Sequence, residues 1–148
     1  MISRSVAKTK KTAKELAEKI LEDKKKRNSA FVLALEGDLG GGKTTFLQGF
    51  AKGLGVKEKV TSPTFNIFRK YRIKKPGKAN LAYFYHFDCY RIKKTKEISG
   101  LGFKEIIQNP ENIVAIEWAG RIKKILPKNA RWINFDFVDK DKRAIDFL

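Results

Sequence analysis

Residues 37–44 of this chain, Gly-Asp-Leu-Gly-Gly-Gly-Lys-Thr, match the pattern G-x-x-x-x-G-K-[ST]. Because glycine carries no Cβ, such a loop can turn its backbone N–H groups toward a phosphate chain. A helix beginning at Lys43 would add the positive end of its dipole. The Lys43 ammonium suits the β- and γ-phosphates, and the Thr44 hydroxyl suits Mg²⁺. The pattern therefore predicts a nucleotide site with Mg²⁺.

Two carboxylates stand at the ends of apolar runs further along the chain. Asp88 ends the run 81–88, and Glu117 ends the run 113–117. In an open α/β sheet, ligands gather at the carboxyl ends of the strands. Both acids are therefore candidates for binding Mg²⁺ or for orienting an attacking water. In a chain with so many basic residues, a strand-end salt bridge is the alternative for each of them.

Other polar and aromatic residues near these motifs have less specific interpretations. Residues 61–64, Thr-Ser-Pro-Thr, are a candidate nucleotide-sensing switch or an ordinary turn. His86 alternates with Asp88 on one strand face, where a lone histidine is expected to be a hydrogen-bonded packing residue. Cys89 is expected to be a small buried hydrophobe, and Trp118 a core residue.

Local patterns predict the helices and strands that position these residues. Thr12 and Glu15 have capping-box spacing, which predicts a helix over 13–25. A buried strand over 31–35 precedes the glycine-rich turn, and an amphipathic helix follows, with Gly55 at its C-terminal cap. The runs 65–73 and 81–88 predict an antiparallel hairpin. Later segments complete the pattern: a short helix over 101–108, a strand over 113–116, a helix over 120–126, and a closing hairpin of 132–138 and 144–148. The expected fold is α/β, a single domain over 1–148 in which helices flank a mixed sheet.

Composition restricts the class of protein. The chain has 148 residues, one cysteine and one histidine. These counts exclude an internal disulfide and a zinc site of four cysteines, or of two cysteines and two histidines. No apolar run reaches the ~20 residues of a membrane helix, and residues 1–19 lack the apolar stretch of a secretory signal. We therefore expect a cytoplasmic protein with no membrane contact.

The net charge of +17 predicts attraction to polyanions, or else a lysine-rich solvated surface. The tip of the predicted hairpin concentrates this charge without any acidic residue. Its basic residues are Arg69, Lys70, Arg72, Lys74, Lys75 and Lys78. We expect Lys74, Lys75 and Lys78 to be freely exposed.

Four segments together resemble the signatures of the TsaE family, formerly called YjeE. They are 35–45 (Leu-Glu-Gly-Asp-Leu-Gly-Gly-Gly-Lys-Thr-Thr), 62–65 (Ser-Pro-Thr-Phe), 86–91 (His-Phe-Asp-Cys-Tyr-Arg) and 116–118 (Ile-Glu-Trp). Order and spacing both match, and the resemblance extends over about 12–148. It implies a P-loop NTPase-like fold and a weak, Mg²⁺-dependent ATPase of bacterial tRNA threonylcarbamoyladenosine (t6A) biosynthesis. It also implies two protein partners, TsaB and TsaD, and contact with tRNA through their complex.

The resemblance assigns roles to individual residues. Lys43, Asp88 and Glu117 would be catalytic, and Thr44, Asp88 and Glu117 would hold Mg²⁺. Thr64 would be the switch threonine, Trp118 would accompany the metal-binding Glu117, and Thr12 would lie near the adenine. The phosphates would be held by Gly37, Asp38, Leu39, Gly40, Gly41, Gly42, Lys43, Thr44 and Thr45. The chain departs from the family pattern at Ala119, where proline is frequent, and in its heavier basic tracts.

Two other functions are compatible with parts of the pattern. A P-loop phosphotransferase acting on a small molecule would share the ATP site, but it does not account for residues 62–65 or 117–118. A basic nucleic-acid-binding module with a vestigial P-loop would bind without ATP and with a steep salt dependence.

Overall fold

A computed structural model describes residues 1–37, 42–63, 66–74, 77–140 and 142–148. Seven strands, four α-helices and one 3₁₀ helix are formed within these residues. In chain order they are β1 Ile2–Ser3, α1 Val6–Glu22, β2 Phe31–Gly37, α2 Lys43–Gly53, β3 Phe68–Arg72, β4 Tyr83–Asp88, α3 Lys96–Ser99, α4 Phe103–Gln108, β5 Asn112–Glu117, the 3₁₀ helix Ala119–Ile125, β6 Arg131–Asp139 and β7 Lys142–Phe147.

The strands form one mixed sheet in the order β1-β7-β6-β2-β5-β4-β3. The four central strands, β6, β2, β5 and β4, are parallel to one another. The β3–β4, β6–β7 and β1–β7 pairs are antiparallel. Both predicted hairpins and the mixed sheet are therefore confirmed. Because the central strands run in one direction, their carboxyl ends meet at a single edge of the sheet.

Helices cover both faces of the sheet and enclose two apolar cores. Along β2 the side chains alternate: Leu33 and Leu35 pack under α1 and α2, whereas Val32 and Ala34 face the side of α3, α4 and the 3₁₀ helix. This alternation explains the continuous apolar run from Phe31, which the sequence assigns to a strand buried on both faces. In the described ranges, no helix has both the length and the apolarity needed to cross a bilayer.

Helices α1 and α2 pack closely through two glycines of α2. A Cβ on Gly49 would lie 2.4 Å from the Lys10 carbonyl oxygen, and one on Gly53 would lie 2.6 Å from that of Lys14. These distances are too short for any side chain. Four residues along α1, from Lys10 to Lys14, correspond to four residues along α2, from Gly49 to Gly53. The two helices therefore run side by side in the same direction. Their amino-terminal ends therefore lie at the same end of the molecule.

The predicted start of α1 is wrong. The helix begins at Val6, and Ser5 caps it by accepting a hydrogen bond on Oγ from the Lys8 backbone N–H at 3.0 Å. Thr12 lies inside the helix and donates its hydroxyl hydrogen bond to the Lys8 carbonyl oxygen. Spacing alone could not separate the two caps, because both have a hydroxyl in front of a helix-forming segment. Strand β1 and helix α3 are too short to give a periodic signal.

The tip of the β3–β4 hairpin is less free than its composition predicts. The Ala79 backbone N–H donates to the Leu21 carbonyl oxygen at 2.9 Å, and Gly77 packs against the same residue. Lys78 is exposed but lies 3.8 Å from the Glu22 carboxylate. Lys74 is exposed, and Lys75 lies outside the described residues. The tip is thus anchored on the end of α1.

Cys89 is fully buried, as the sequence predicts, and it offers a test of the packing. Burial raises the pKa of its thiol to about 12. Since the thiolate is the reactive form, we expect almost no labelling of the folded protein by a thiol reagent at pH 8. Complete labelling should follow in denaturant. Rapid stoichiometric labelling without denaturant would show that this side of the sheet opens readily.

Candidate functional site

A cleft of about 350 Å³ lies at the carboxyl-terminal edge of the parallel strands. Helices α1 and α2 begin at this cleft, so the positive ends of two helix dipoles face it. Residues from both ends of the chain and from its middle line the cleft. They are Ser5, Val6, Thr9, Gly42, Lys43, Thr44, Thr45, Ser62, Asp88, Tyr90, Glu117, Trp118, Lys140 and Arg143.

Glycines end strand β2 and precede helix α2, on either side of residues 38–41. Gly37 has φ 134°, and a Cβ on it would lie 2.0 Å from the Phe135 carbonyl oxygen of β6. Gly42 caps α2 in a left-handed conformation at φ 96°, and the Phe46 N–H donates to its carbonyl oxygen. Both positions require glycine for reasons independent of any ligand. Asp38, Leu39, Gly40 and Gly41 lie outside the described residues.

The Lys43 side chain reaches back from the start of α2 to the end of β2. Its Nζ donates a hydrogen bond to the Gly37 carbonyl oxygen and lies 4.0 Å from the centre of the Trp118 ring. Lys43 is only 5% exposed. An ammonium over an indole face gains cation–π stabilisation, so Trp118 contributes to a resting place for this charge. A phosphate entering the loop would compete for the same ammonium.

The start of α2 contacts the segment predicted to be a switch. The Thr44 and Ser62 hydroxyl oxygens lie 3.4 Å apart, and both residues line the cleft. Gln48, one turn further along α2, donates to the Val60 carbonyl oxygen at 3.3 Å. The segment before Pro63 therefore lies directly against the P-loop helix. Thr64 itself lies outside the described residues, so its predicted role as the switch threonine stays a prediction.

Asp88 and Glu117 lie side by side at the ends of β4 and β5, where they are paired in register. Glu117 is 4% exposed and makes a 2.7 Å hydrogen bond to His86. Asp88 accepts the Tyr90 backbone N–H at 3.0 Å. Desolvation raises the pKa of the Asp88 carboxyl above its ordinary value, and the neighbouring Glu117 charge raises it further. The two acids thus form a crowded, partly desolvated pair beside Thr44 and Lys43.

Trp118 lies on the wall of the cleft, not wholly in the core as the sequence predicts. Its backbone is left-handed, with φ 56° and ψ 41°. Its ring lies 5.1 Å from the ring of Tyr90, and the Arg121 guanidinium carbon lies 5.6 Å from the Trp118 ring centre. The next turn is also fixed, because the Gly120 N–H donates to Glu36 Oε1 at 2.7 Å. A non-glycine residue in this conformation costs energy, and the packing around it maintains the strain.

The structure brings together most of those predicted site residues that it describes. Lys43, Thr44, Thr45, Asp88 and Glu117 line one cleft, as do Gly42 and Trp118. Thr12 does not belong to this group: the described α1 residues that line the cleft are Val6 and Thr9. Because α1 starts earlier than the sequence indicates, its first turn, and not Thr12, faces the cleft.

Several lining residues carry no recognisable sequence signal. Ser5, Val6 and Thr9 come from the start of the chain, and Lys140 and Arg143 come from the β6–β7 hairpin. The Arg143 guanidinium donates to the Asp139 carbonyl oxygen at 2.7 Å and thereby closes that hairpin. The pairing of β1 with β7, and of β6 with β2, brings these distant segments to one place. No local pattern could have predicted it.

The chain is similar in sequence and in structure to known proteins. The family model described as "Threonylcarbamoyl adenosine biosynthesis protein TsaE" matches residues 3–145. The TsaE protein of Bacillus subtilis is 41% identical over 116 residues, which is 78% of this chain and 68% of that protein. The TsaE protein of Rickettsia conorii is 37% identical over 141 residues, 95% of this chain and 72% of that one. The crystal structure of Bacillus subtilis YdiB has a TM-score of 0.71 at 32% identity, covering 99% of this chain and 82% of that chain. The chain belongs to the TsaE family.

Proposed function

We propose that this protein binds ATP with Mg²⁺ and hydrolyses it slowly as a component of the t6A modification machinery. The observation that carries the proposal is the meeting of Lys43 and Thr44 with Asp88 and Glu117 in one cleft. The relatives named above are described as tRNA threonylcarbamoyladenosine biosynthesis proteins, which supports the same pathway here. TsaB and TsaD are the partners that the family resemblance implies.

The donor set fits Mg²⁺. Thr44 offers a hydroxyl, and Asp88 and Glu117 offer carboxylates at neighbouring strand ends. A divalent cation between the two acids would relieve the repulsion that contributes to the raised pKa of Asp88. Within the described residues, no three acidic, histidine or cysteine side chains are placed so that they could hold a metal ion together. A site with few protein ligands suits Mg²⁺, which keeps several waters and takes phosphate oxygens as further ligands.

Each residue then has a defined task. Lys43 leaves the Gly37 carbonyl oxygen and the Trp118 ring, and pairs with the β- and γ-phosphates. Thr44, Asp88 and Glu117 hold Mg²⁺, which when bound supplies positive charge to the phosphate oxygens. Asp88 and Glu117 are also the groups that would orient the attacking water.

ATP hydrolysis measured in three settings tests this function. Hydrolysis should be slow for the protein alone, should require Mg²⁺, and should change when TsaB and TsaD are added together. Transfer of the γ-phosphate to a small-molecule acceptor, with little release of free phosphate, would instead identify a phosphotransferase. Binding to RNA without nucleotide, together with no hydrolysis in any setting, would identify a nucleic-acid-binding module.

The basic hairpin tip provides a prediction about the partners. Replacing Lys74, Lys75 and Lys78 with serine should weaken assembly with TsaB–TsaD or tRNA, most clearly at low salt, because exposed charges act mainly through screened, long-range attraction. Basal ATP hydrolysis should be unchanged, since the tip lies on the end of α1 away from the cleft. Binding is measured across a salt series.

The matched control replaces three other exposed lysines, Lys104, Lys124 and Lys128, with serine and removes the same charge. If the tip variant and wild type bind equally at every salt concentration, the tip serves solubility alone. Equal weakening of the tip variant and the control would show that the position of the charge is irrelevant to assembly.

A further inference from the structure

His86 is a buried polar residue that the proposed function does not use. It lies on β4, two residues before Asp88, and its side chain is 0% exposed. Its register partner on β5 is Ala115, yet its Nε2 reaches diagonally to Oε2 of Glu117 at 2.7 Å. The hydrogen bond therefore joins the interior of one central strand to the end of the next.

The other ring nitrogen is not used in the same way. His86 Nδ1 is buried and has no hydrogen-bond partner in the part of the chain that the structure describes. Burying an imidazole with one unsatisfied nitrogen costs free energy that an apolar side chain of similar size would avoid. Packing alone therefore does not explain a histidine at this position. Its polar contact is directed at Glu117.

The direction of that hydrogen bond follows from the chemistry of Glu117. A carboxylate that binds a cation is ionised, and an ionised carboxylate only accepts hydrogen bonds. His86 Nε2 is therefore the donor. Donation to Oε2 fixes the rotation of the Glu117 carboxyl group. Glu117 lines the cleft together with Thr44.

We propose that His86 is a positioning residue that orients the Glu117 carboxylate for Mg²⁺. The inference rests on the proposed function, because it concerns the metal site of the same cleft. Hydrogen bonds from outside the ligand shell commonly orient metal ligands, and their loss typically weakens metal affinity by about 10–100-fold.

The affinity for ADP is measured once with Mg²⁺ and once with EDTA. The ratio of the two affinities is the gain due to the metal. His86→Leu should reduce this gain by about 10-fold or more, while the affinity in EDTA stays within about threefold. His86→Gln should restore most of the gain, because its amide nitrogen can reach the position of Nε2. His86→Asn keeps an amide but is too short, so it should behave like His86→Leu. The Gln and Asn variants keep the test decisive if the Leu variant does not fold.

A buried control on the adjacent strand separates positioning from stability. Asn112 begins β5, at the end opposite Glu117, and is 3% exposed. Its side-chain N–H donates to the carbonyl oxygen of Ile106 in α4. Asn112→Leu should lower the melting temperature and leave the gain due to the metal unchanged. A double-mutant cycle compares the gain due to the metal in the single and double variants. The double variant His86→Leu/Glu117→Gln should lose no more of this gain than Glu117→Gln alone, because both changes act on one carboxylate.

The outcomes distinguish this inference from the function on which it rests. Wild-type protein without any gain from Mg²⁺ would overturn both. If folded His86→Leu keeps the wild-type gain, the positioning role alone is overturned. It is also overturned if His86→Asn keeps as much of the gain as His86→Gln. Losses from His86→Leu and Glu117→Gln that add fully in the double variant would do the same.

Discussion

Replacing Lys43 with methionine should lower the affinity for ATP by about 10²-fold while the protein remains folded. The size of the loss is that of one or two charge-assisted hydrogen bonds to phosphate. Methionine is preferable to alanine because the Lys43 side chain is 5% exposed and lies against Trp118. Methionine keeps most of that packing and removes the ammonium, together with its hydrogen bond to the Gly37 carbonyl oxygen. The measurement is a nucleotide titration in Mg²⁺, with a melting curve for each variant.

Lys52 supplies the matched control. It is an exposed lysine in the last turn of the same helix, so Lys52→Met makes the same chemical change away from the cleft. Its affinity for ATP should equal that of wild type. Wild-type affinity in folded Lys43→Met would show that residues 37–44 do not hold the phosphates.

The resting position of Lys43 has a consequence for binding. Its ammonium already contacts the Gly37 carbonyl oxygen and the Trp118 ring. A nucleotide must replace both contacts, so part of the gain from the phosphates is offset by their loss. This competition is consistent with the weak ATP binding that the family resemblance implies. It also predicts that the fluorescence of Trp118 changes when ATP binds.

The parts of the fold that the sequence predicts are those whose signal is local. The run from Phe31 is apolar on both strand faces, and the spacing of Phe46, Leu47 and Phe50 is helical; both elements occur where predicted. The two hairpins follow from turn residues between β-rich runs. Asp88 and Glu117 could be placed together because parallel strands deliver their ends to one edge of the sheet.

The rest of the site depends on contacts between residues distant in the sequence. The Gly37 position requires glycine because of β6, almost a hundred residues later. Val6 and Arg143 reach the cleft because β1 pairs with β7. Thr12 has the right residue type and spacing for a cap, yet Ser5 takes that role because the helix extends a further two turns. Single-sequence patterns carry no information about such pairings.

Removing either carboxylate from the cleft should lower ATP hydrolysis by at least ~10²-fold, the effect expected when one electrostatic contributor is lost. Asp88→Asn and Glu117→Gln are nearly isosteric, so each removes one charge and little volume. Hydrolysis is measured at saturating ATP and Mg²⁺, with melting temperatures recorded in EDTA. Unchanged hydrolysis with a large fall in melting temperature would identify that carboxylate as a structural group.

Without metal, the difference in stability between Asp88→Asn and wild type should depend on pH in a defined direction. The pKa of Asp88 is raised, chiefly by desolvation and further by Glu117. The folded protein therefore binds this proton more tightly than the unfolded chain does. The resulting stabilisation is present at low pH and is lost as the pH rises through the raised pKa. Asparagine carries no charge at any pH, so in EDTA the variant should melt above wild type at neutral pH, and the difference should narrow on acidification. A variant that melts below wild type at neutral pH and approaches it in acid would show that the ionised Asp88 carboxylate stabilises the fold.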